Sequence, residues 1–176
     1  MTRRYLVPWY DVSWDDLERA MVDAGAVAAD PEEGVLAAWR RGDTGIHLFE
    51  EGVTQLAVDG DDADRLADDL RRRIRTYGPG DMPAVFDDPI YGWDLRLAIL
   101  AAVAPATADP ALVELFRRGF GHDDPHVRVT AALSAAIPAW PELRADIERL
   151  ATSDPEDGVR RPAAKVLATM DGAAPA

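Results

Sequence analysis

The stretch GHDDPHVRVTAALSAAI, residues 121–137, joins a turn to a helix. Asp124 stands immediately before Pro125, and proline suits the first turn of a helix because the amide that it lacks would have no partner there. An aspartate at this position accepts hydrogen bonds from the free backbone amides at the helix start. We therefore expect the acidic residues of this stretch to be structural.

The same stretch places His122 and His126 beside two aspartates, which raises the question of a metal site or a catalytic cluster. The two histidines would lie on either side of the turn and not on one face of a helix. A metal site would also need further ligands, and the remaining histidine, His47, belongs to the other half of the chain. We predict neither a metal site nor a bound cofactor.

Three segments of the C-terminal half align with one another, and each follows an Asp-Pro pair. Amphipathic segments that also open near a proline lie between them, which predicts a series of helix pairs. Since one pair cannot bury its apolar face alone, neighbouring pairs must stack. The aligned segments are WDLRLAILAAVAP (93–105), HVRVTAALSAAIP (126–138) and GVRRPAAKVLATM (158–170), with Arg96, Arg128 and Arg160 at intervals of 32 residues, and the helices between them are predicted at 109–120 and 140–151. The predicted core residues are Leu112, Leu115, Phe116, Val127, Ala131, Leu133, Leu143, Ile147, Leu150, Val159, Ala163 and Leu167.

This combination of turn, arginine, apolar spacing and period resembles the HEAT repeat, in the short bacterial form found in phycobilin lyases. The resemblance covers about residues 85–170 and does not extend to the N-terminal half. The first copy departs from the pattern by the insertion Tyr91-Gly92-Trp93 and by Leu95, and the last copy departs from it by Pro162. The resemblance implies a helical solenoid that presents its second helices to a protein partner. The arginines are expected to pair with aspartates of adjacent repeats.

The N-terminal half has a different periodicity, with short apolar runs cut by glycine-containing turns. One predicted helix is SWDDLERAMVDAG (13–25), with Ser13 as its N-cap, and the other is DDADRLADDLRRRIRTYG (61–78). Hairpin turns are predicted at GDTG (42–45) and EEG (50–52). The predicted strands are 4–10, 34–41, 45–51 and 53–60.

These patterns predict the α+β fold class. A small N-terminal antiparallel sheet with two helices, in the order strand, helix, three strands, helix, is followed by an all-α HEAT-like helical solenoid. The turn-forming run YGPGDMP (77–83) separates the part with strand-like patterns from the helical part, so we predict domains over 1–78 and 79–176.

The chain carries 32 acidic and 19 basic residues and a formal net charge of -13. A surface that binds duplex nucleic acid must neutralise several phosphates, so this balance disfavours nucleic acid and anionic membranes. The absence of cysteine excludes disulfides, thiolate nucleophiles and sulfur-ligated zinc. The N-terminal run does not fit a signal peptide, and no segment approaches the roughly 18 apolar residues of a membrane span. We therefore expect a cytoplasmic protein, and the use of arginine over lysine favours a bacterial source.

Catalytic motifs are missing from the sequence, which contains neither a phosphate-binding loop nor a nucleophile elbow. We therefore predict no catalytic residues and favour a non-enzymatic protein–protein interaction module, a HEAT-like scaffold or adaptor. The acidic charge favours a partner with a basic surface, as for an immunity protein or antitoxin that inhibits a basic toxin. Trp9 and Trp140, which adjoin prolines, are expected to be partly exposed. The predicted partner-binding residues are Trp9, Trp93, Trp140, Arg96, Arg128 and Arg160.

A nucleic-acid-binding HEAT-like protein related to the DNA glycosylases is the alternative. It requires LRRRIRTYG (70–78) to form a basic patch with scattered arginines of the second half. The helix dipole alone favours cations in the last turn of a helix, so this run has a simpler explanation. An adaptor in cofactor attachment is a third possibility, because of the resemblance to phycobilin lyases. The scattered arginines are Arg117, Arg118, Arg160 and Arg161.

Overall fold

The computed structural model describes residues 2–9, 11–50 and 53–172. It divides into two compact units, Met1–Gly78 and Pro79–Ala176. The first unit holds an antiparallel sheet and two helices, and the second unit is built from helices. The prediction of an α+β protein with an N-terminal antiparallel sheet is therefore confirmed.

The sheet of the first unit has six strands in its described part, and every pairing is antiparallel. The strand order across the sheet is β2-β3-β4-β5-β1-β6. The elements are β1 (Thr2–Pro8), α1 (Trp14–Asp23), β2 (Val27–Ala29), β3 (Ala37–Arg41), β4 (Thr44–Glu50), β5 (Thr54–Gly60), α2 (Ala63–Arg73) and β6 (Thr76–Tyr77).

Helix α1 begins where the sequence predicted, at a reciprocal cap. The Ser13 hydroxyl accepts a hydrogen bond from the Asp16 amide at 3.2 Å, and the Asp16 carboxylate accepts one from the Ser13 amide at 3.2 Å. These two bonds satisfy two amides that have no partner within the helix. The helix is followed by Gly25 at φ +75°, a left-handed conformation that glycine adopts without steric cost.

The hairpin between β3 and β4 is also present, with Arg41 paired to Thr44 and Gly42 at φ +59° in the turn between them. The predicted EEG turn includes residues 51 and 52, which lie outside the described residues. The predicted strands 4–10 and 45–51 likewise end on Tyr10 and Glu51, which lie outside them.

Two strands were missed, and both lie at the edges of the sheet. Strand β2 contains three exposed residues, so it lacks the alternation of apolar and polar side chains that identifies a strand. Strand β6 is only two residues long and pairs with the end of β1. Both strands depend on hydrogen bonds to a neighbouring strand and not on their own side-chain pattern.

Both helices of the first unit contribute to one buried cluster together with the sheet, so they cover the same face of it. Side chains of β4 and β5 reach this cluster from alternate positions, as expected for one face of a pleated sheet. Its larger members are Leu6, Leu17, Met21, Trp39, Ile46, Leu48, Leu56, Val58, Leu66, Leu70 and Ile74.

The helices of the second unit pack in two layers. Helix α6 contacts α4 and α8 within one layer, and α5 contacts α7 within the other. Contacts between α5 and α6 and between α7 and α8 join the layers. In the part of the chain that the structure describes, no helix is both long and apolar enough to cross a membrane. The helices are α3 (Met82–Asp87), α4 (Trp93–Val103), α5 (Pro110–Phe120), α6 (Pro125–Ala135), α7 (Arg144–Ser153) and α8 (Asp157–Met170), with short 3-10 turns at Pro79–Asp81 and Pro141–Leu143.

Most of the predicted core of the second unit is buried, and one prediction is wrong. Leu133 is 51% exposed, whereas Leu167 is half-buried. The alanines on the other side of α6 fill the interior instead, with Ala131, Ala132 and Ala135 each at 0% exposure. The predicted core residues that are buried are Leu112, Leu115, Phe116, Val127, Ala131, Leu143, Ile147, Leu150, Val159 and Ala163.

Gly119 lies where α5 meets its neighbours most closely. A Cβ atom added to it would stand 2.8 Å from the Cβ of Ala131 and 3.2 Å from Leu97 Cδ2. We expect Gly119→Ala to lower the free energy of unfolding by about 1 to 3 kcal/mol, because the helices must separate to admit the methyl group. The matched control is Gly158→Ala, since a Cβ atom at Gly158 would meet nothing within 4 Å.

The free energies of unfolding of both variants and of the wild type are measured by urea unfolding, followed by circular dichroism. The control should be unchanged or more stable by up to about 1 kcal/mol, because alanine has the higher helix propensity. Equal effects of the two substitutions would contradict the close contact of α5 with α6.

Candidate functional site

The turn around Asp124 uses its polar side chains to hold the backbone. One carboxylate oxygen of Asp124 accepts from the amide of His126 at 2.9 Å, and His122 Nδ1 accepts from the amide of Asp124 at 3.1 Å. The His122 ring lies edge-on to Trp93, with 4.8 Å between centroids. Within residues 2–9, 11–50 and 53–172, no group of three or more acidic or histidine side chains is placed to hold a metal ion.

The same turn occurs at every Asp-Pro pair of the second unit. In each case the carboxylate of the aspartate accepts a hydrogen bond from the backbone amide two residues later, at 2.8 to 3.0 Å. The proline between them has no amide hydrogen, so the carboxylate satisfies the first backbone donor after the aspartate. The four aspartates are Asp88, Asp109, Asp124 and Asp154.

The three aligned arginines bind the turns that precede their own helices. Arg96 donates to the carbonyl of Asp88 at 2.8 Å, and Arg160 donates to that of Asp154. Arg128 donates to the carbonyls of His122 and Asp123 at 2.8 and 2.9 Å. The guanidinium groups predicted to bind a partner are therefore engaged in holding the repeated turns.

Arg128 also makes the one buried ion pair between repeats in the described part of the second unit. Its Nε and Nη2 donate to the two carboxylate oxygens of Asp154 at 2.8 and 3.0 Å. The two side chains are 11% and 3% exposed. The hydrogen bonds from Arg128, opposed by burial, hold the pKa of Asp154 below its usual range, and they raise the pKa of Arg128.

The corresponding pairs are not made by the other two arginines. The guanidinium of Arg96 lies 5.4 Å from the ring centroid of Trp93, and its Nε is buried without an acceptor among the described residues. Arg160 pairs with Asp157 of its own helix. Among the described residues, Arg128 therefore makes the expected ion pair with an adjacent repeat, and Arg96 and Arg160 do not.

The tryptophans predicted to bind a partner are covered to different degrees. Trp140 is 1% exposed, so the expectation that it is partly exposed is wrong. Its indole N–H donates to the carbonyl of Pro105 at 2.9 Å, and its ring stands edge-on to Phe116 with 6.0 Å between centroids. A polar tip that finds a partner allows such a ring to be buried.

Trp9 and Trp93 are half-buried. Trp9 stacks on Tyr77 with 4.8 Å between centroids, and the guanidinium carbon of Arg75 lies 3.2 Å from the Trp9 ring centroid. Trp93 contacts Phe86 edge-on at 5.7 Å between centroids. Both rings have aromatic partners within their own unit.

Two of the three large apolar side chains that the described part of the second unit exposes lie on α6 and the turn that follows it, and the third is Ile90, before α4. Leu133 is 51% exposed and Ile137, one turn later, is 68% exposed. Val129, one turn before Leu133, is half-buried. Val129 and Leu133 are four apart on α6 and share a face, and Ile137 follows at the same spacing in the turn after the helix, so we treat the three as one stripe. The sequence offered a signal for it in TAALSAAI, since the alanines around Leu133 occupy the side that packs closely.

Helix α8, which contacts α6, carries two exposed cations. On the neighbouring side, Asp94 of α4 contacts His126 at 3.4 Å and accepts from the Thr130 hydroxyl at 3.0 Å, so residues about 32 apart stand at the same level. From the same offset, and from the contact of α6 with α8, we infer that Arg161 and Lys165 lie at about the level of Val129 and Leu133. Both cations are exposed, and neither forms an ion pair within the described chain. We define Val129, Leu133, Ile137, Arg161 and Lys165 as the α6/α8 patch.

The opposite layer, formed by α5 and α7, has a different surface. Arg117 pairs with Asp146 at 3.0 Å across the two helices, and Arg149 pairs with Asp146 at 3.8 Å. None of the large apolar side chains that the described part of the chain exposes belongs to α5 or α7. The exposed apolar stripe is thus a property of one layer.

The arginines required for a basic groove are largely neutralised within the chain. Arg71, Arg72 and Arg73 each pair with an aspartate three or four residues earlier in α2. Arg117, Arg118 and Arg160 pair with Asp146, Asp87 and Asp157. Of the four arginines of the second half that this groove would need, Arg161 alone has no ion pair among the described residues.

A cleft of about 360 Å³ in the first unit is lined by one side of α1, by the residues before it and by the end of α2. Its carboxylates and guanidinium groups are mixed, and Arg19 pairs with Asp16 at 2.9 Å. It contains no histidine, serine or lysine that could act with these groups in acid, base or nucleophilic catalysis. The residues lining it are Asp11, Val12, Asp16, Arg19, Ala20, Asp23, Arg73, Ile74 and Arg75.

Replacing Asp154 tests the importance of the buried pair. Asp154→Asn keeps an oxygen that can accept from the Glu156 amide but removes the charge opposite Arg128. We expect a loss of about 3 kcal/mol in the free energy of unfolding, because a buried guanidinium is left without a counter-ion. Asp171→Asn, which breaks the exposed pair with Arg144, should have a much smaller effect in the same chemical denaturation, because solvent screens exposed charges. A small effect of Asp154→Asn would contradict the burial of the pair.

The same pair predicts how stability depends on pH. Because the pKa of Asp154 is lower in the folded protein, its stabilising contribution is complete above the unfolded pKa of about 3.9 and is lost as the pH falls through the folded pKa. We expect the difference in unfolding free energy between the wild type and Asp154→Asn to narrow below about pH 4. The contribution of Asp16, whose pKa is also lowered, cancels in this difference. A difference that is constant down to acid pH would contradict the prediction.

No protein-family model, curated protein or solved structure matches this chain. A functional assignment therefore rests on the residues of the chain and on the geometry of the α6/α8 patch.

Proposed function

We propose that this chain is a non-enzymatic protein–protein interaction module that contacts its partner through the α6/α8 patch. The observation that carries the proposal is the exposure of Leu133 and Ile137, at 51% and 68%, on one face of a well-packed layer. Contiguous exposed apolar side chains with a charged border are typical of protein-binding surfaces. Because Leu133 and Ile137 are mostly exposed, packing within the chain does not account for their size.

We further propose that α4 to α8 form a HEAT-like solenoid in which α4, α6 and α8 are the second helices. Three features support this assignment: the period of 32 residues, the repeated Asp-Pro turn and the arginines that bind that turn. In HEAT-like proteins the second helices face the partner, which agrees with the position of the α6/α8 patch on this layer.

The net charge of -13 supports a sharper form of the proposal, in which the chain inhibits a basic partner as an immunity protein or antitoxin does. At the α6/α8 patch itself, however, the exposed charges are those of Arg161 and Lys165. The basic partner is therefore proposed for the acidic surface outside the patch. The lack of cysteine is compatible with action in the cytoplasm, which we include in the proposal.

Site-specific photo-crosslinking tests the interaction surface. A benzophenone side chain at position 133 or 137 should capture a discrete partner in cells of the source organism, because these positions lie at the centre of the patch. The matched control position is Glu148, which is exposed on α7 in the opposite layer. Capture at 148 and none at 133 or 137 would contradict the proposal.

The paired variant Leu133→Ser/Ile137→Ser should weaken capture of that partner at least tenfold while leaving the melting temperature nearly unchanged. Substitution of exposed side chains usually alters stability by less than about 0.5 kcal/mol, so the fold is preserved. Val22→Ser, at a 70% exposed apolar position on the first unit, is the control for a general loss of surface hydrophobicity. Equal capture by all variants would show that the stripe is not the contact surface.

A further inference from the structure

We infer that the segment bound at the α6/α8 patch is acidic and amphipathic, with apolar side chains that cover Leu133 and Ile137 and carboxylates that meet Arg161 and Lys165. The inference rests on the proposed interaction function and specifies the chemistry of the partner. It differs from the partner that the net charge of the whole chain favours.

The first argument is that six of the nine arginine and lysine side chains of the second unit form ion pairs among the described residues. Arg96 has no ion pair in the described chain, but it donates to a turn carbonyl and lies against Trp93. Arg161 and Lys165 are the remaining cations without an ion pair among the residues described. The paired cations are Arg117, Arg118, Arg128, Arg144, Arg149 and Arg160.

The second argument is that the position of these cations does not stabilise the helix that carries them. Arg161 lies in the N-terminal half of α8, far from the last turn in which the helix dipole would stabilise a cation. Lys165 follows four residues later on the same face, and like charges at this spacing repel each other. Asp157, four residues before Arg161, is paired with Arg160. A carboxylate from outside the chain would relieve the repulsion that the fold leaves in place.

The third argument is that the apolar and cationic side chains are close enough to be covered together. Helices α6 and α8 are in contact, and the axes of packed helices lie about 8 to 10 Å apart. A single amphipathic helix or strand seated between them would therefore reach both. Apolar contacts would lie at the centre and charged contacts at the border, which is the usual anatomy of a protein interface.

The fourth argument is that the acidic remainder of the chain does not cancel this local preference. At physiological ionic strength, charges separated by more than about 8 Å of solvent are largely screened. The charges that a bound segment meets at contact are those of the patch. Asp94 borders the other side of α6, where it is engaged by Thr130 and His126.

A displayed peptide library tests the inference directly. The library displays amphipathic helical peptides of about 15 residues. Each peptide carries leucine on one face, and the positions that flank this face vary among Glu, Gln and Lys. Peptides are selected at about 0.15 M salt on three baits. These are the full wild-type chain, the charge-reversed bait Arg161→Glu/Lys165→Glu and the serine bait Leu133→Ser/Ile137→Ser. Selected peptides are then resynthesised, and their affinities are measured by fluorescence anisotropy.

We expect the wild type to enrich Glu at the flanking positions, with affinity about tenfold higher than for the Lys counterparts, since two partly exposed ion pairs have that combined effect. The charge-reversed bait should enrich Lys instead. The serine bait should enrich neither. Thermal melts of the three baits confirm that each is folded, which the exposure of all four substituted side chains predicts.

The other outcomes separate the inference from the proposed function. Enrichment without a charge preference, lost on the serine bait, overturns the inference and leaves the interaction surface intact. No enrichment on the wild type, or enrichment that the serine bait retains, overturns both. A fluorescent DNA duplex that binds the wild type, binds the serine bait equally and is lost on the charge-reversed bait overturns the inference in favour of nucleic acid.

Discussion

The buried ion pair between Arg128 and Asp154 fixes the relation between neighbouring repeats of the second unit. One guanidinium group binds two carbonyls of the turn before α6 and both carboxylate oxygens of the turn before α8. Asp154 in turn accepts from the amide of Glu156 at the start of α8. Burying two charges is favourable only when nearly all of their hydrogen bonds are made, so this geometry has little freedom. The position of α6 along α8, and hence the arrangement of the α6/α8 patch, depends on this ion pair.

The copies of the repeat differ in ways that follow from their sequences. In the first copy the insertion at 91–93 lengthens the turn, so Arg96 reaches a carbonyl eight residues earlier, whereas Arg128 and Arg160 reach carbonyls six residues earlier. The inserted Trp93 packs against Phe86 and takes the guanidinium of Arg96 against its ring. Among the described residues, only the arginine of the central copy, Arg128, binds both its own turn and a carboxylate of the next repeat. Departures from the repeat pattern in the sequence correspond to departures in the contacts.

Features decided by a few adjacent residues could be predicted from the sequence, and features decided by distant neighbours could not. The cap at Ser13 and the Asp-Pro turns require only side chains within three positions of the backbone amides that they bind. The direction of Leu133 depends instead on which side of α6 meets α4 and α8, and hydrophobicity alone assigned it to the core. The burial of Trp140 depends on a carbonyl 35 residues away. The α6/α8 patch was missed for the same reason, since it joins two helices that only the fold brings together.

The net charge of the chain and the local charge of the α6/α8 patch act on a partner at different stages of binding. The sum of -13 includes carboxylates on every face, and it governs how charged molecules approach from a distance. Most of the arginines are neutralised by those carboxylates within the fold, so the cations that are left unpaired mark the places where the chain can attract an acid. An acidic segment would be repelled during approach and attracted at contact. Its affinity would then arise from slow dissociation, with apolar burial on Leu133 and Ile137 as the larger contribution and the two cations as the source of specificity.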